Sequence, residues 1–231
     1  DEDGNDLMIF AGADINMSGQ YLLNDQTTTN MQAGEAMLHF DGVNDYVDCG
    51  DSPNLTFGDF SSVSIVKPNS NSSNAFYGKI NTGQNEYYAI INTSGSLRFV
   101  VFGAIDGSIS ITFNSATGAV VADKIQTVVF VFDESAKTAV AYVNGASVAL
   151  TPTEAGTFVN MVNSTSNLQI GNYQLNDGNA FDGEIYSTRF YNRALSAAEV
   201  LNLSAPTAFA DVGASQTDIV TSGLDADNGG F

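Results

Sequence analysis

The sequence predicts an all-β protein folded as an antiparallel sandwich or barrel, and three observations carry that prediction. Tyr87 to Ile91, a turn at Asn92 to Ser96 containing Gly95, and Leu97 to Phe102 read as a hairpin of residues suited to a pleated, half-buried surface. Ser108 to Phe113 alternates polar and apolar with period two, which puts Ile109, Ile111 and Phe113 on one face and leaves the other wet. Asn144-Gly145, the dipeptide that supplies two positive φ values to a tight turn, stands between Ala139–Val143 and Ala146–Leu150. Several short strands punctuated in this way argue for a sandwich or barrel.

The remaining elements follow in chain order. Residues 1–36 hold seven acids and no cation, residues 204–231 hold four acids and no cation, and all seven Lys and Arg lie between Lys67 and Arg193. This asymmetry predicts a folded centre, residues 37–203, between two acidic arms. Within the first arm Leu7, Met8, Ile9 and Phe10 are apolar enough to need a surface: they could add as a strand to a sheet edge of the same or a neighbouring copy, or merely cover their own domain. Asn69 to Asn74 reads as a short Asn/Ser loop, Val128 to Phe132 as a continuous apolar strand, and Asp133 to Lys137 as the turn after it. Ser196-Ala197-Ala198-Glu199 is a capping box opening one short helix, with Val200, Leu201 and Leu203 on its apolar side and Pro206 as its stop.

Composition excludes several classes. The chain has 231 residues, 43% of them hydrophobic, which is material for a sizeable core. Against 26 Asp plus Glu stand 7 Lys plus Arg, a net charge of −19. A surface so short of cations disfavours nucleic acid and anionic membranes as partners. No window approaches eighteen consecutive apolar residues, so no helical membrane span is expected. The single cysteine, Cys49, rules out an internal disulfide and reads as a small, partly buried residue.

Several stretches, in order, resemble the compact bacterial and viral form of the laminin-G-like, concanavalin A-like lectin/glucanase superfamily. They are Leu38-His39-Phe40-Asp41-Gly42-Val43-Asn44-Asp45-Tyr46-Val47, Val63 to Pro68, Ala141 to Gly145, Leu168 to Asn172, Phe181 to Ile185, and Arg189 to Val200. The resemblance implies a jelly-roll sandwich of two curved antiparallel sheets. The chain departs from it in having no tryptophan: Ile65 and Ile125-Gln126 stand where the family commonly places one. Tyr186 and Ser187 replace an acidic pair usual in the late strand.

The resemblance also implies candidate sites. Many relatives bind calcium, which wants six to eight oxygens; here Asp41, Asn44 and Asp45 match the early motif, with Asp182 and Glu184 close to the missing pair. The same residues could simply make turns. A glucanase would need two carboxylates flanking a glycosidic bond, and no strand carries such a pair: Glu184 is followed by Ile185 and Tyr186, and His39 is the only histidine. Catalysis is therefore not expected. Tyr77, Tyr87, Tyr88, Asn172 and Tyr173 are candidates to line a glycan site, against the alternative that strand tyrosines pack in the core. Two functions are expected from these readings. One is a non-catalytic structural surface protein, a virion decoration, tail component or extracellular appendage subunit, partnered by its own copies or other assembly proteins. The other is a carbohydrate-binding module or adhesin, with calcium as a candidate cofactor.

Overall fold

The computed structural model describes residues 6–8, 16–17, 37–51, 58–71, 73–173 and 179–204. They form two antiparallel sheets. The first runs in the order β1 (Asp6–Met8), β15 (Asp182–Tyr191), β5 (Phe60–Pro68), β10 (Gln126–Asp133), β11 (Thr138–Val143) and β12 (Ala146–Val148), with β3 (Leu38–Asp41) also pairing β15. The second runs β13 (Leu150–Ala155), β9 (Ser110–Ser115), β8 (Ser96–Phe102), β7 (Gln84–Asn92), β6 (Asn74–Asn81), β14 (Gln169–Ile170), β4 (Val47–Asp48) and β2 (Asn16–Met17). The all-β sandwich is thus as expected. The hairpin β7–β8 turns through Thr93–Gly95, and Asn144 and Gly145 have φ of 51° and 78° in the β11–β12 turn. One boundary shifts: Leu150 begins β13, which crosses to pair with β9 instead of extending β12. The alternating segment also starts later than read, at Ser110, and Ile109 packs on the core from the preceding loop.

Phenylalanine fills the space between the sheets. Phe99 stacks on Phe113 and Phe130 with ring centroids 6.0 and 5.3 Å apart, and Phe60 and Phe132 meet it edge-on or tilted. Of the residues that stand where the family commonly places tryptophan, Ile65 is buried, Ile125 is exposed, and Gln126 is buried with its amide clipping the loop at Val121. On the other side of the first sheet, helix α1 (Ala197–Leu203) buries Val200 with Leu195 against Val63, Val129, Val131 and Tyr191. Its capping box forms as the sequence predicts, with Ser196 and Glu199 bonding reciprocally. Pro206, the expected stop, lies outside the described residues. Among those residues no helix is long and apolar enough to cross a membrane. Cys49 is a free thiol packed against the core, and burial pushes it up to about 12.

Both parts of the N-terminal arm that the structure describes lie on sheet edges of this chain. β1 pairs β15 with Leu7 opposite Phe190, and β2 pairs β4 with Met17 opposite Val47. Ile9 and Phe10 lie outside the described residues.

An ion pair sits within the second sheet. Lys79 Nζ lies 2.6 Å from Glu86 Oε2, both side chains fully buried, and 3.0 Å from Asp51 Oδ1. Lys79 also donates to the Ser164 carbonyl, while the Ser164 N–H and hydroxyl donate to Glu86. Burial pushes the Glu86 carboxyl above its ordinary range, against the pull of Lys79. The network ties the segment around Ser164 to β6 and β7. Removing Lys79 leaves the Glu86 carboxylate buried without its cation, so Lys79→Met is expected to lose about 3–5 kcal/mol of stability, read as a lower urea midpoint. A Lys79→Met/Glu86→Leu double variant should recover most of that loss, because no isolated charge remains.

Candidate functional site

The register of the second sheet sorts its residues into two faces. Phe113, Phe99, Ala89, Tyr77, Ile170 and Val47 form one transverse row and all point into the core. The adjacent row, Thr112, Val100, Tyr88, Gly78, Gln169 and Asp48, therefore lies on the outer face. Gly78 is the key position. A Cβ there would overlap the Tyr173 Cβ and come within 3.0 Å of the Tyr88 Cβ. The bare glycine lets Tyr173 lie across β6 and stack on Tyr88, with ring centroids 4.6 Å apart and an interplanar angle of 13°. Asn179 Nδ2 donates to the Tyr173 hydroxyl at 2.9 Å, which fixes that ring from the other side.

Arg98 stands beside this pair. Its register neighbours are Ile90 and Asn114, and its Nε donates to Asn114 Oδ1 at 3.0 Å. No Asp or Glu among the described residues lies within ion-pair distance of it. Burial pushes the Tyr88 hydroxyl up, and the Arg98 guanidinium bonded to it pulls the other way. Phe102 packs at 6.1 Å from Tyr88. The face thus offers half-buried aromatic rings, an amide and a guanidinium within reach of each other.

Of the tyrosines read as glycan candidates, Tyr88 and Tyr173 are brought together here. Tyr77 and Tyr87 are corrected: both are fully buried in the core, where Tyr77 meets Phe190 edge-on at 4.8 Å and bonds Ser62, so neither can meet a ligand. Asn172 is also buried, its Oδ1 accepting from the Tyr173 N–H, and it shapes the loop instead of facing solvent. Arg98, Asn114 and Asn179 were not singled out by the sequence. The phase of β8 could have found the first two, because Leu97, Phe99 and Val101 face inward and leave Arg98 outward, with Asn114 and Tyr88 on the same side by register.

The five calcium candidates do not gather into one site. Asp41 and Asp182 are cross-strand partners, but Asp41 Oδ1 accepts from the Val43 N–H, Asp182 Oδ1 accepts from Asn69, and Asp45 Oδ2 accepts from the Asp41 N–H. Asn44 is exposed in the turn between them. Glu184 is taken by Lys67 at 3.4 Å and by the Tyr186 hydroxyl at 2.8 Å. Among the described residues no three His, Cys, Asp or Glu side chains are placed to share a metal. The early motif works chiefly as a turn, the alternative its residue types allowed.

A two-sheet sandwich with aromatic rings and amides on the open face of one sheet is a lectin-like β-sandwich. The chain belongs to the concanavalin A-like lectin/glucanases superfamily, whose laminin-G-type model matches residues 41–201. Among solved structures it is similar to the CBM40 domain of the Ruminococcus gnavus IT-sialidase bound to α2,3-sialyllactose, at 18% identity and a TM-score of 0.58, covering 73% of this chain and 98% of that one. It is also similar to the botulinum neurotoxin serotype G binding domain (15% identity, TM-score 0.57, 88% of this chain and 47% of that one). The binding domain of Paraclostridial Mosquitocidal Protein 1 is another such structure (12% identity, TM-score 0.61, 86% and 51%). The chain spans about half the length of these last two. No curated protein matches the sequence.

The dependence of the stack on Gly78 can be tested. Gly78→Ala is expected to displace Tyr173 and destabilise the protein by about 1–3 kcal/mol, the usual range for overpacking. With no tryptophan to mask it, the tyrosine near-UV circular dichroism should change while the far-UV spectrum stays.

Proposed function

We propose that the chain is a non-catalytic, extracellular glycan-binding domain, and that the outer face of its second sheet takes an acidic sugar. The observation that carries this reading is the Tyr88–Tyr173 stack beside Arg98, a guanidinium with no carboxylate partner among the described residues of a chain with a net charge of −19. A ring face packs on the apolar side of a sugar, amides pair with hydroxyls, and a guanidinium takes a carboxylate in a paired hydrogen bond. The sialyllactose bound by the similar CBM40 domain is a ligand of that chemistry. Calcium would have to bind at the Asp41–Asp182 rim, away from this face, so the reading does not require it. On a glycan array the protein should be retained by sialylated glycans over their desialylated forms, and chelation should leave this unchanged. Arg98→Gln should weaken retention about ten- to a hundredfold, the range for a charge-assisted hydrogen bond. Equal retention of acidic and neutral forms, or an indifferent Arg98→Gln variant, would defeat the proposal.

A second reading, a structural subunit of a virion or appendage, is favoured by one observation. β1 joins the sandwich by strand addition at an edge, the geometry by which copies exchange segments. If copies exchange β1, deleting residues 1–36 should reduce a defined oligomer to monomers in light scattering. Unchanged mass would leave β1 as a cover for its own domain.

A further inference from the structure

Across β6 from the tyrosine stack, the same sheet face holds a second concavity, of about 170 Å³. Tyr46, Asp48, Ile80, Asn81, Asn167 and Gln169 line it. It exists because β14 and β4 are only two residues long. The sheet ends early there, and the β6–β7 turn and the segment around Asn167 rise beside it as walls. Those walls are braced from beneath by the buried Lys79–Glu86 pair, which holds Ser164. A groove braced in this way loses little freedom on binding.

Its chemistry is specific. Asp48 is the only charged group among the described lining residues, and each of its oxygens accepts a hydrogen bond, Oδ1 from the Gly50 N–H and Oδ2 from Asn167 Nδ2. One carboxylate alone is too few oxygens for a metal cation, and with no Lys or Arg among the described lining residues an anion would be repelled. The rest of the polar lining is amide and hydroxyl: Gln169, Asn167, Thr165, and Asn81, which accepts from the Thr82 N–H through its Oδ1 and has no partner for Nδ2 among the described residues. Tyr46 and Ile80 supply a ring and an aliphatic wall. The volume is that of about six waters, well below that of a drug-sized pocket.

We infer that this groove is a second binding site, for one neutral, hydroxyl-rich ring such as an uncharged sugar unit. It is built from residues other than Arg98, Tyr88 and Tyr173, so it does not rest on the acidic-sugar reading. Gln169 and Tyr88 flank Gly78 in one transverse row, so the two sites are neighbours on one face.

The full chain, labelled with nitrogen-15, would be titrated with the methyl glycosides of galactose, glucose and N-acetylglucosamine. The side-chain amide signals of Asn81, Asn167 and Gln169 report directly on the groove. At least one glycoside is expected to shift these signals with a Kd in the millimolar range, the scale of a ligand this small. Asn81 is exposed, so Asn81→Ala should fold normally and weaken that binding about three- to tenfold, as expected for one neutral hydrogen bond. Arg98→Gln should not affect it. No shift with any of the three, shifts confined to the surroundings of Tyr88 and Arg98, or an Asn81→Ala variant of unchanged affinity would overturn the inference. The last two results leave the acidic-sugar proposal standing, and loss of acidic-sugar binding alone leaves this one standing.

Discussion

The ring lattice around Phe99 is the interaction on which the rest of the molecule depends. Phe113 reaches it from the second sheet, and Phe60, Phe130 and Phe132 from the first. In a chain without tryptophan, several medium rings do the work of a few large ones, and each pair adds about 0.5–1.5 kcal/mol beyond its burial. Because Phe99, Phe113 and Tyr77 must all face inward, the period of two along each strand leaves no choice for their neighbours. Tyr88, Gly78 and Gln169 are forced outward into one row. The open face is therefore a consequence of the core.

Much of the fold was legible in the sequence because its signals were local. The Asn144-Gly145 turn and the Ser196–Glu199 capping box each lie within six residues and form as expected, and β9 keeps its expected phase from Ser110 on. The site was legible only in part. Tyr87-Tyr88-Ala89-Ile90-Ile91 is apolar at every position, so it shows no phase of its own, and the adjacent tyrosines could not be separated into core and surface. Arg98 supplies that phase from the neighbouring strand, through the pairing Arg98–Ile90. Gln169 and Asp48 were beyond reach, since strands of two residues carry no periodicity. Asp41, Asn44 and Asp45 were ambiguous in the sequence because a tight turn and a calcium loop call for the same residue types.

The few cations are placed with little redundancy. Lys79 answers Glu86 and Asp51 in the interior, Lys67 answers Glu184, Arg193 answers Glu199 beside the helix, and Lys137 donates to the Phe158 carbonyl. The Arg193 guanidinium, with Ser196, holds the exposed Glu199 carboxyl at about 2, which keeps the capping box ionised far into acid. These positions secure structure. Arg98 differs from them, with an amide and a phenol as its partners and no carboxylate.

A net charge of −19 opposes the acidic ligand proposed for this face. Range decides the matter. At physiological ionic strength the Debye length is about 8 Å, so acids farther away than that are largely screened from a ligand on the sheet. In the proposed complex Arg98 would act at contact, and its register neighbours, Ile90 and Asn114, are uncharged. Its attraction is therefore felt at hydrogen-bond distance while the repulsion is felt mainly during approach. The balance between them shifts with salt: dilute buffer lengthens the repulsion and slows association, whereas moderate salt screens the distant acids first and leaves the contact pair least affected. A binding face of this kind works best in a medium of substantial ionic strength, the opposite of a basic surface that loses its ligand as salt rises.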